Sequence, residues 1–209
     1  MCTTVPIKNK RKLNTFRNYY KEVKYSPRNY ALIVLGLNSA LRIGDILSLR
    51  WSDVYRDSKN GYRSHLSVRE AKTGKQNILA INASSREAPE LYRQSLVHFD
   101  SEGFIFTSQK PPYTKISRSQ EFRIIKGAAV YCGLGDDISC HSLRKTFGYH
   151  AWKKGTPPAM LMKIYNHSSY EVAKRYLGIG QTEKDEVFMK NFLLLPFLRN
   201  YSIIFNEGL

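Results

Sequence analysis

Cap and stop residues cut this chain into short amphipathic segments, with a stretch of strict alternation among them. Ser26-Pro27 pairs a capping hydroxyl with a first-turn proline, and the helix it opens carries Tyr30, Ile33, Val34 and Leu37 on one stripe. A second helix is expected from about Gly44 to Trp51, with Ile46, Leu47 and Leu49 as its apolar positions. Ser64 to Glu70 then alternates, Leu66 and Val68 against polar neighbours. After Lys72-Thr73-Gly74-Lys75, the stretch Asn77 to Ile81 reads as the second strand of a hairpin turning at Gly74. Helices are expected at Ser84 to Val97, with Pro89 near its start, and at Ser117 to Cys132, stopped by Gly133. Ser142 to Lys154, stopped by Gly155, and Pro157 to Tyr165, capped by Thr156, follow; Ser168 and Glu171 have capping-box spacing ahead of Ser169 to Leu177. The pattern is α+β, mainly α-helical with a small antiparallel β-sheet.

Charge points to the partner. The 33 Lys and Arg against 17 Asp and Glu leave a net charge of +16, which calls for a polyanion, nucleic acid first. The first thirty residues carry Lys8, Lys10, Arg11, Lys12, Arg17, Lys21, Lys24 and Arg28 against Glu22 alone, so residues 1–25 read as a basic N-terminal arm. From Gln181 on the charge is slightly negative, and residues 183–209 read as an apolar tail, with Phe188, Phe192, Leu193, Leu194, Leu195, Phe197, Leu198, Ile203 and Ile204 to bury in cis or in trans. No run of about 18 apolar residues exists, so no membrane partner is expected and the chain reads as cytoplasmic. Cys2, Cys132 and Cys140 lack paired zinc spacing and read as reduced thiols; no metal and no cofactor is expected.

Several residues could carry chemistry, and each has a bland reading when taken singly. His141 and Arg144 in CHSLRKTFGYH lie three apart at a helix start, where both could face one anion or simply line a solvated face. Arg42 sits between two apolar helices in ALRIGDILSLRW, where an unpaired guanidinium is costly unless an anion or Asp45 compensates it. Lys72 could be a solvated turn lysine, His167 a packed helix-entry ring, and Tyr176 one of fourteen tyrosines.

Their joint order is more specific. Arg42, Lys72, His141 with Arg144, His167 and Tyr176 follow one another, with 23 positions from Arg144 to His167 and nine more to Tyr176. This resembles the catalytic domain of the tyrosine recombinases, the integrase family of phages and mobile elements. The resemblance rests on ALRIGDILSLRWSDV, EAKTGK, HSLRKTFGYHAWKKG and NHSSYEVAKRYLGI, and spans about Lys12 to Thr182. It implies a catalytic domain over residues 26–182 and a site-specific recombinase that cleaves and rejoins DNA without metal through a 3′-phosphotyrosyl link, integrating or excising a mobile element.

By that resemblance Tyr176 is the nucleophile, Arg42 and Arg144 hold the scissile phosphate, and Lys72 protonates the leaving 5′ oxygen. His141 assists deprotonation of the tyrosine, His167 donates to the phosphate, and Asp45 orients an active-site arginine. Physical chemistry accords with this division, because a guanidinium presents paired donors in a fork matched to phosphate oxygens. Lys8, Lys10, Arg11, Lys12, Lys75, Lys145, Lys174 and Arg175 are the cations expected to grip the double-stranded DNA target. The resemblance also implies self-association, as a tetramer on two duplexes, in an enzyme associated with the nucleoid when bound. Two departures stand out: Asn166 precedes His167 where many relatives have glycine, and the separate core-binding domain of longer members has no counterpart here. The chain is therefore expected to be either a fragment or a short recombinase that encircles its site differently.

Two other readings compete. A non-catalytic helix-turn-helix protein would use Ser142 to Lys154 and Pro157 to Tyr165 to hold DNA. A type IB topoisomerase-like enzyme would share the tyrosine chemistry and reseal one strand without exchange.

Overall fold

A computed structural model describes residues 4–56, 61–108 and 110–190. The chain divides into two compact units, residues 1–178 and 179–209. In the first, α1 (Lys10–Asn18) runs through a π-helical turn (Tyr19–Val23) into α2 (Pro27–Ser39), followed by α3 (Ile43–Leu47) and α4 (Trp51–Val54). Short strands β1 (Tyr55–Arg56) and β2 (Gly61–Tyr62) pair antiparallel. Next come β3 (His65–Arg69) and β4 (Gln76–Ala80), antiparallel from His65 opposite Ala80 to Arg69 opposite Gln76. Five helices follow: α5 (Ala83–Gln94), α6 (Arg118–Tyr131), α7 (Cys140–Lys153), α8 (Pro158–Tyr165) and α9 (Tyr170–Tyr176). The second unit contains α10 (Gln181–Lys190); Phe192, Leu193, Leu194, Leu195, Phe197, Leu198, Ile203 and Ile204 of the expected apolar tail lie outside the described residues.

The core is built around α2, which is buried from Tyr30 to Gly36 on every face rather than along one stripe. The reason is its neighbours: α5 and α7 both pack on it, so Ala31, Leu32 and Leu35 find apolar partners as readily as Ile33 and Val34 do. Each fully buried aliphatic side chain of this kind contributes about 1.5–3 kcal/mol. Gly36 sets the spacing to α7, since a β-carbon there would fall 2.5 Å from Leu143 Cδ1. The helix that carries His141 and Arg144 is thus drawn tightly onto the centre of the domain.

The basic N-terminal segment is not a free arm. Residues 10–18 form α1, and Ile7, Phe16 and Tyr20 are buried in the same core as α2. Ile7 N donates to Thr146 Oγ1 at 2.8 Å and His150 Nε2 lies 2.9 Å from Ile7 O, so the entering chain is stitched along α7. The expected helix from Gly44 to Trp51 is also broken in two. Leu49 and Arg50 leave the helix because their backbone pairs across the chain instead: Leu49 O accepts from Ile105 N at 2.9 Å, and Arg50 bridges Phe104.

Candidate active site

Arg42 owes its position to a sharp exit from α2. Ala40 caps the helix in the left-handed region, at φ 53°, Leu41 turns into the core, and Arg42 becomes the N-cap of α3. Its Nη1 donates to Oε2 of Glu70, which is 3% exposed. The carboxylate partner of Arg42 is therefore Glu70, 28 residues on, and not Asp45 as the sequence suggested. Asp45 is buried too, but its Oδ1 accepts from Ala71 N at 3.0 Å and so anchors the base of the β3–β4 turn.

That turn presents Lys72 to solvent. Gly74 takes φ +67°, a conformation that L side chains rarely adopt, and its N–H closes the turn onto Glu70 O at 2.8 Å. At the far side Lys75 Nζ donates to Asn166 Oδ1 at 2.8 Å. Asn166 is itself the left-handed C-cap of α8, at φ 56°. Where glycine would offer only conformational freedom, this asparagine also offers an acceptor to the turn.

The remaining groups come from α7, α8 and α9. Helix α7 begins at Cys140, two residues before the expected start, so His141 and Arg144 both fall in its first two turns on a shared face. His141 keeps solvent contact while Arg144 is 3% exposed. Tyr165, at the end of α8, forms the floor. Its hydroxyl donates to Arg144 O at 2.7 Å, the Arg144 guanidinium lies 4.9 Å from its ring centroid, and the rings of His167 and Tyr176 stand 5.6 and 5.5 Å away. His167 meets Tyr176 edge-on at 4.9 Å, and Lys145 Nζ lies 5.1 Å from the Tyr176 ring centroid.

Close helix packing makes this cluster possible. A β-carbon on Gly148 of α7 would fall 2.5 Å from the Tyr165 hydroxyl and also strike Leu177, the neighbour of Tyr176. Only glycine lets α7, α8 and α9 meet at that point.

Two polar atoms of the cluster are buried without a hydrogen-bond partner in the protein: Arg144 Nη1 and His167 Nδ1. Native structures rarely leave such groups unsatisfied, because each costs about 1–3 kcal/mol. Both can donate to an anion, and the electrostatics favour one. Partial burial, and then the charges of Lys145, Arg144, Arg42 and Lys72, lower the His141 pKa from its usual 6.5, so its imidazole is neutral at pH 7. Burial, followed by Arg144 and Arg42, lowers that of His167 in the same way. Burial raises the Tyr176 pKa above 10.0, with the charges of Arg144 and then Arg42 opposing that rise. Four cations thus converge on one tyrosine and two histidines.

The structure brings Arg42, Lys72, His141, Arg144, His167 and Tyr176 into this one region. It adds Glu70, Tyr165 and Lys145, the last expected merely as a DNA-gripping cation. Of the other expected DNA contacts, Lys10, Arg11 and Arg175 are exposed. Lys12 Nζ donates to Gly133 O at 2.8 Å, Lys174 Nζ lies 3.8 Å from Glu171 Oε2, and Lys8 Nζ stands 5.2 Å from the Tyr149 ring.

Residues 8–182 match the phage integrase family. The chain belongs to that family. It is 37% identical to the probable integrase/recombinase YoeC of Bacillus subtilis (strain 168) over 179 residues, 84% of this chain and 90% of YoeC. The type 1 fimbriae regulatory protein FimE of Escherichia coli (strain K12) is 27% identical over 179 residues, 84% of this chain and 87% of FimE. Among solved structures, XerA recombinase superposes with a TM-score of 0.70 at 20% identity, over 90% of this chain and 65% of that one. At that identity the likeness is one of fold: this integrase-family chain has the tyrosine recombinase catalytic-domain architecture, mostly helical with small antiparallel sheets.

Proposed function

We propose that this protein is a site-specific DNA recombinase whose nucleophile is Tyr176. The observation that carries the reading is the pair of buried, unpartnered donors, Arg144 Nη1 and His167 Nδ1, gathered with Arg42 beside the Tyr176 ring. A phosphodiester satisfies both donors and meets the guanidiniums bidentately. Neutral His141 takes the phenolic proton as Tyr176 Oη forms its bond to phosphorus. The P–O5′ bond breaks and Lys72 protonates the departing oxygen, leaving a 3′-phosphotyrosyl link and a free 5′ hydroxyl. A 5′ hydroxyl from another duplex reverses these steps and completes the exchange without an external energy source. The developing charge on the non-bridging oxygens is stabilised by Arg42 and Arg144, as a preorganised oxyanion site requires.

The exposed cations Lys10, Arg11 and Arg175 add non-specific hold on the duplex. Exchange between two duplexes calls for four active sites, hence a tetramer on DNA. Among the described residues no helix is long and apolar enough to cross a membrane; the working location proposed is the nucleoid. The helix-turn-helix reading is disfavoured because it leaves the buried donors Arg144 Nη1 and His167 Nδ1 with nothing to bind. The test is trapping on a nicked duplex carrying the sequence that flanks the gene. A denaturation-resistant adduct should form in EDTA, and Arg144→Ala should abolish it while DNA affinity changes little. Equal loss of both, or a metal-dependent cut without an adduct, ends this reading.

A further inference from the structure

The inward face of β3 carries Leu66 and Val68 and then, at the next position of the same period, Glu70. A carboxylate there is costly unless it is fully engaged. It is engaged on two sides of the site at once. Oε2 accepts from Arg42 Nη1 and, at 2.9 Å, from Thr73 Oγ1, one residue past Lys72. The backbone of the same residue closes the turn, its N–H donating to Lys75 O at 2.9 Å and its carbonyl accepting from Gly74 N at 2.8 Å.

We propose that Glu70 is a positioning residue that locks Arg42 and the Lys72 turn into one rigid unit, so that the phosphate clamp and the proton donor are set in a common register. This rests on the roles assigned above to Arg42 and Lys72. By occupying one nitrogen of the Arg42 fork it leaves the other donors for the phosphate. Through Thr73 it limits how far the turn can swing. The hydrogen bonds of Arg42 and Thr73, with the charges of Arg42 and Arg144, outweigh the effect of burial and hold the Glu70 pKa below its usual 4.5, so the carboxylate stays ionised at the pH of the reaction. Asp45 plays a separate part: its Oδ1 holds Ala71 N, and its Oδ2 has no hydrogen-bond partner in the protein.

Single-turnover cleavage of nicked duplexes with either oxygen or sulfur at the bridging 5′ position tests this. Sulfur leaves as thiolate and needs no proton, so defects in the acid disappear on that substrate while defects in phosphate binding persist. Lys72→Ala should recover fully on sulfur and Arg42→Ala should not. Glu70→Gln should slow cleavage of ordinary DNA roughly ten- to a hundredfold, the scale of a small misplacement of catalytic groups, and should recover in part on sulfur. Thr73→Val, which leaves the Arg42 pair intact, should show a smaller defect that sulfur removes completely; it also decides the matter if Glu70→Gln melts before the assay temperature. Wild-type rates for Glu70→Gln, or an equal loss on both substrates with Thr73→Val unaffected, would overturn the coupling. Failure of Lys72→Ala to recover on sulfur would instead refute the role given to Lys72.

Discussion

Gly148→Ala puts the geometry of the proposed nucleophile, Tyr176, under direct strain without touching any group proposed to contact DNA. The new methyl would stand 2.5 Å from the Tyr165 hydroxyl and 2.8 Å from Tyr165 Cε2, and it would also collide with Leu177. Ordinary carbon contacts begin near 3.5 Å, so the neighbours must retreat by about 1 Å. Overpacking of this kind costs about 1–3 kcal/mol. The better helix propensity of alanine returns about 1 kcal/mol of that. Net destabilisation should therefore be small, about 0–2 kcal/mol. The chemistry should suffer far more. Tyr165 lies under both Arg144 and Tyr176, and Leu177 follows Tyr176 directly, so the proposed nucleophile and the arginine proposed to hold the phosphate separate by a comparable distance. A misplacement of about 1 Å costs roughly a hundredfold in rate. Single-turnover cleavage, a urea melt and DNA binding at fixed salt measure the three quantities side by side. Cleavage at the wild-type rate in a protein that melts normally would refute the argument that α7, α8 and α9 must touch for the site to form.

Two further outcomes follow from the same structure. Phe16→Ala should destabilise the fold by about 3–5 kcal/mol in a denaturant melt, because its ring is fully buried in the core; an effect below about 0.5 kcal/mol, normal for a surface site, would restore the N-terminal segment to the status of a free arm. The pH profile should carry the signature of His141. A base whose pKa is lowered from 6.5 works in its neutral form above that pKa and loses activity as pH falls through it. The acid limb of kcat/KM should therefore bend below pH 6.5 and flatten in His141→Gln; a bend above 6.5 would contradict the role of the surrounding cations.

Legibility in the sequence followed the range of the interaction. Local caps place the helices closely: α6 starts at its expected cap, Ser117, which accepts from Gln120 N, while α9 is capped by Ser169, which accepts from Val172 N, one residue after the expected Ser168. The hairpin turns at Gly74 as its alternation and glycine imply. What escaped depends on partners far along the chain. The break between α3 and α4 is caused by a backbone bridge from Arg50 to Phe104, which no local pattern reveals. In the N-terminal segment Phe16 and Tyr20 stand four apart and mark a buried face, yet the surrounding lysines and arginines mask it.

The site shows the same division. The resemblance to the integrase family, carried by the order of its motifs, is what draws Arg42, Lys72, His141, Arg144, His167 and Tyr176 together; singly, each has a bland reading. Proximity in sequence offers Asp45 as one possible partner of Arg42, beside an anion, whereas the fold delivers Glu70. A signal for Glu70 did exist: it continues the inward register of Leu66 and Val68, where a carboxylate demands a cation. Tyr165 left little trace, since an aromatic at the end of an apolar helix usually means core packing, and here it is both core and floor of the site.

The most direct measurement concerns the atom that bonds to DNA. Protein trapped on a nicked duplex can be digested with trypsin and nuclease and the modified peptide located by mass spectrometry. Cleavage after Arg175 releases the peptide from Tyr176 to Lys184, which contains a single tyrosine. The account predicts a 3′-phosphonucleotide on that tyrosine and none in Tyr176→Phe. A nucleotide on Tyr165 or Tyr170, or an adduct that persists in Tyr176→Phe, would contradict it.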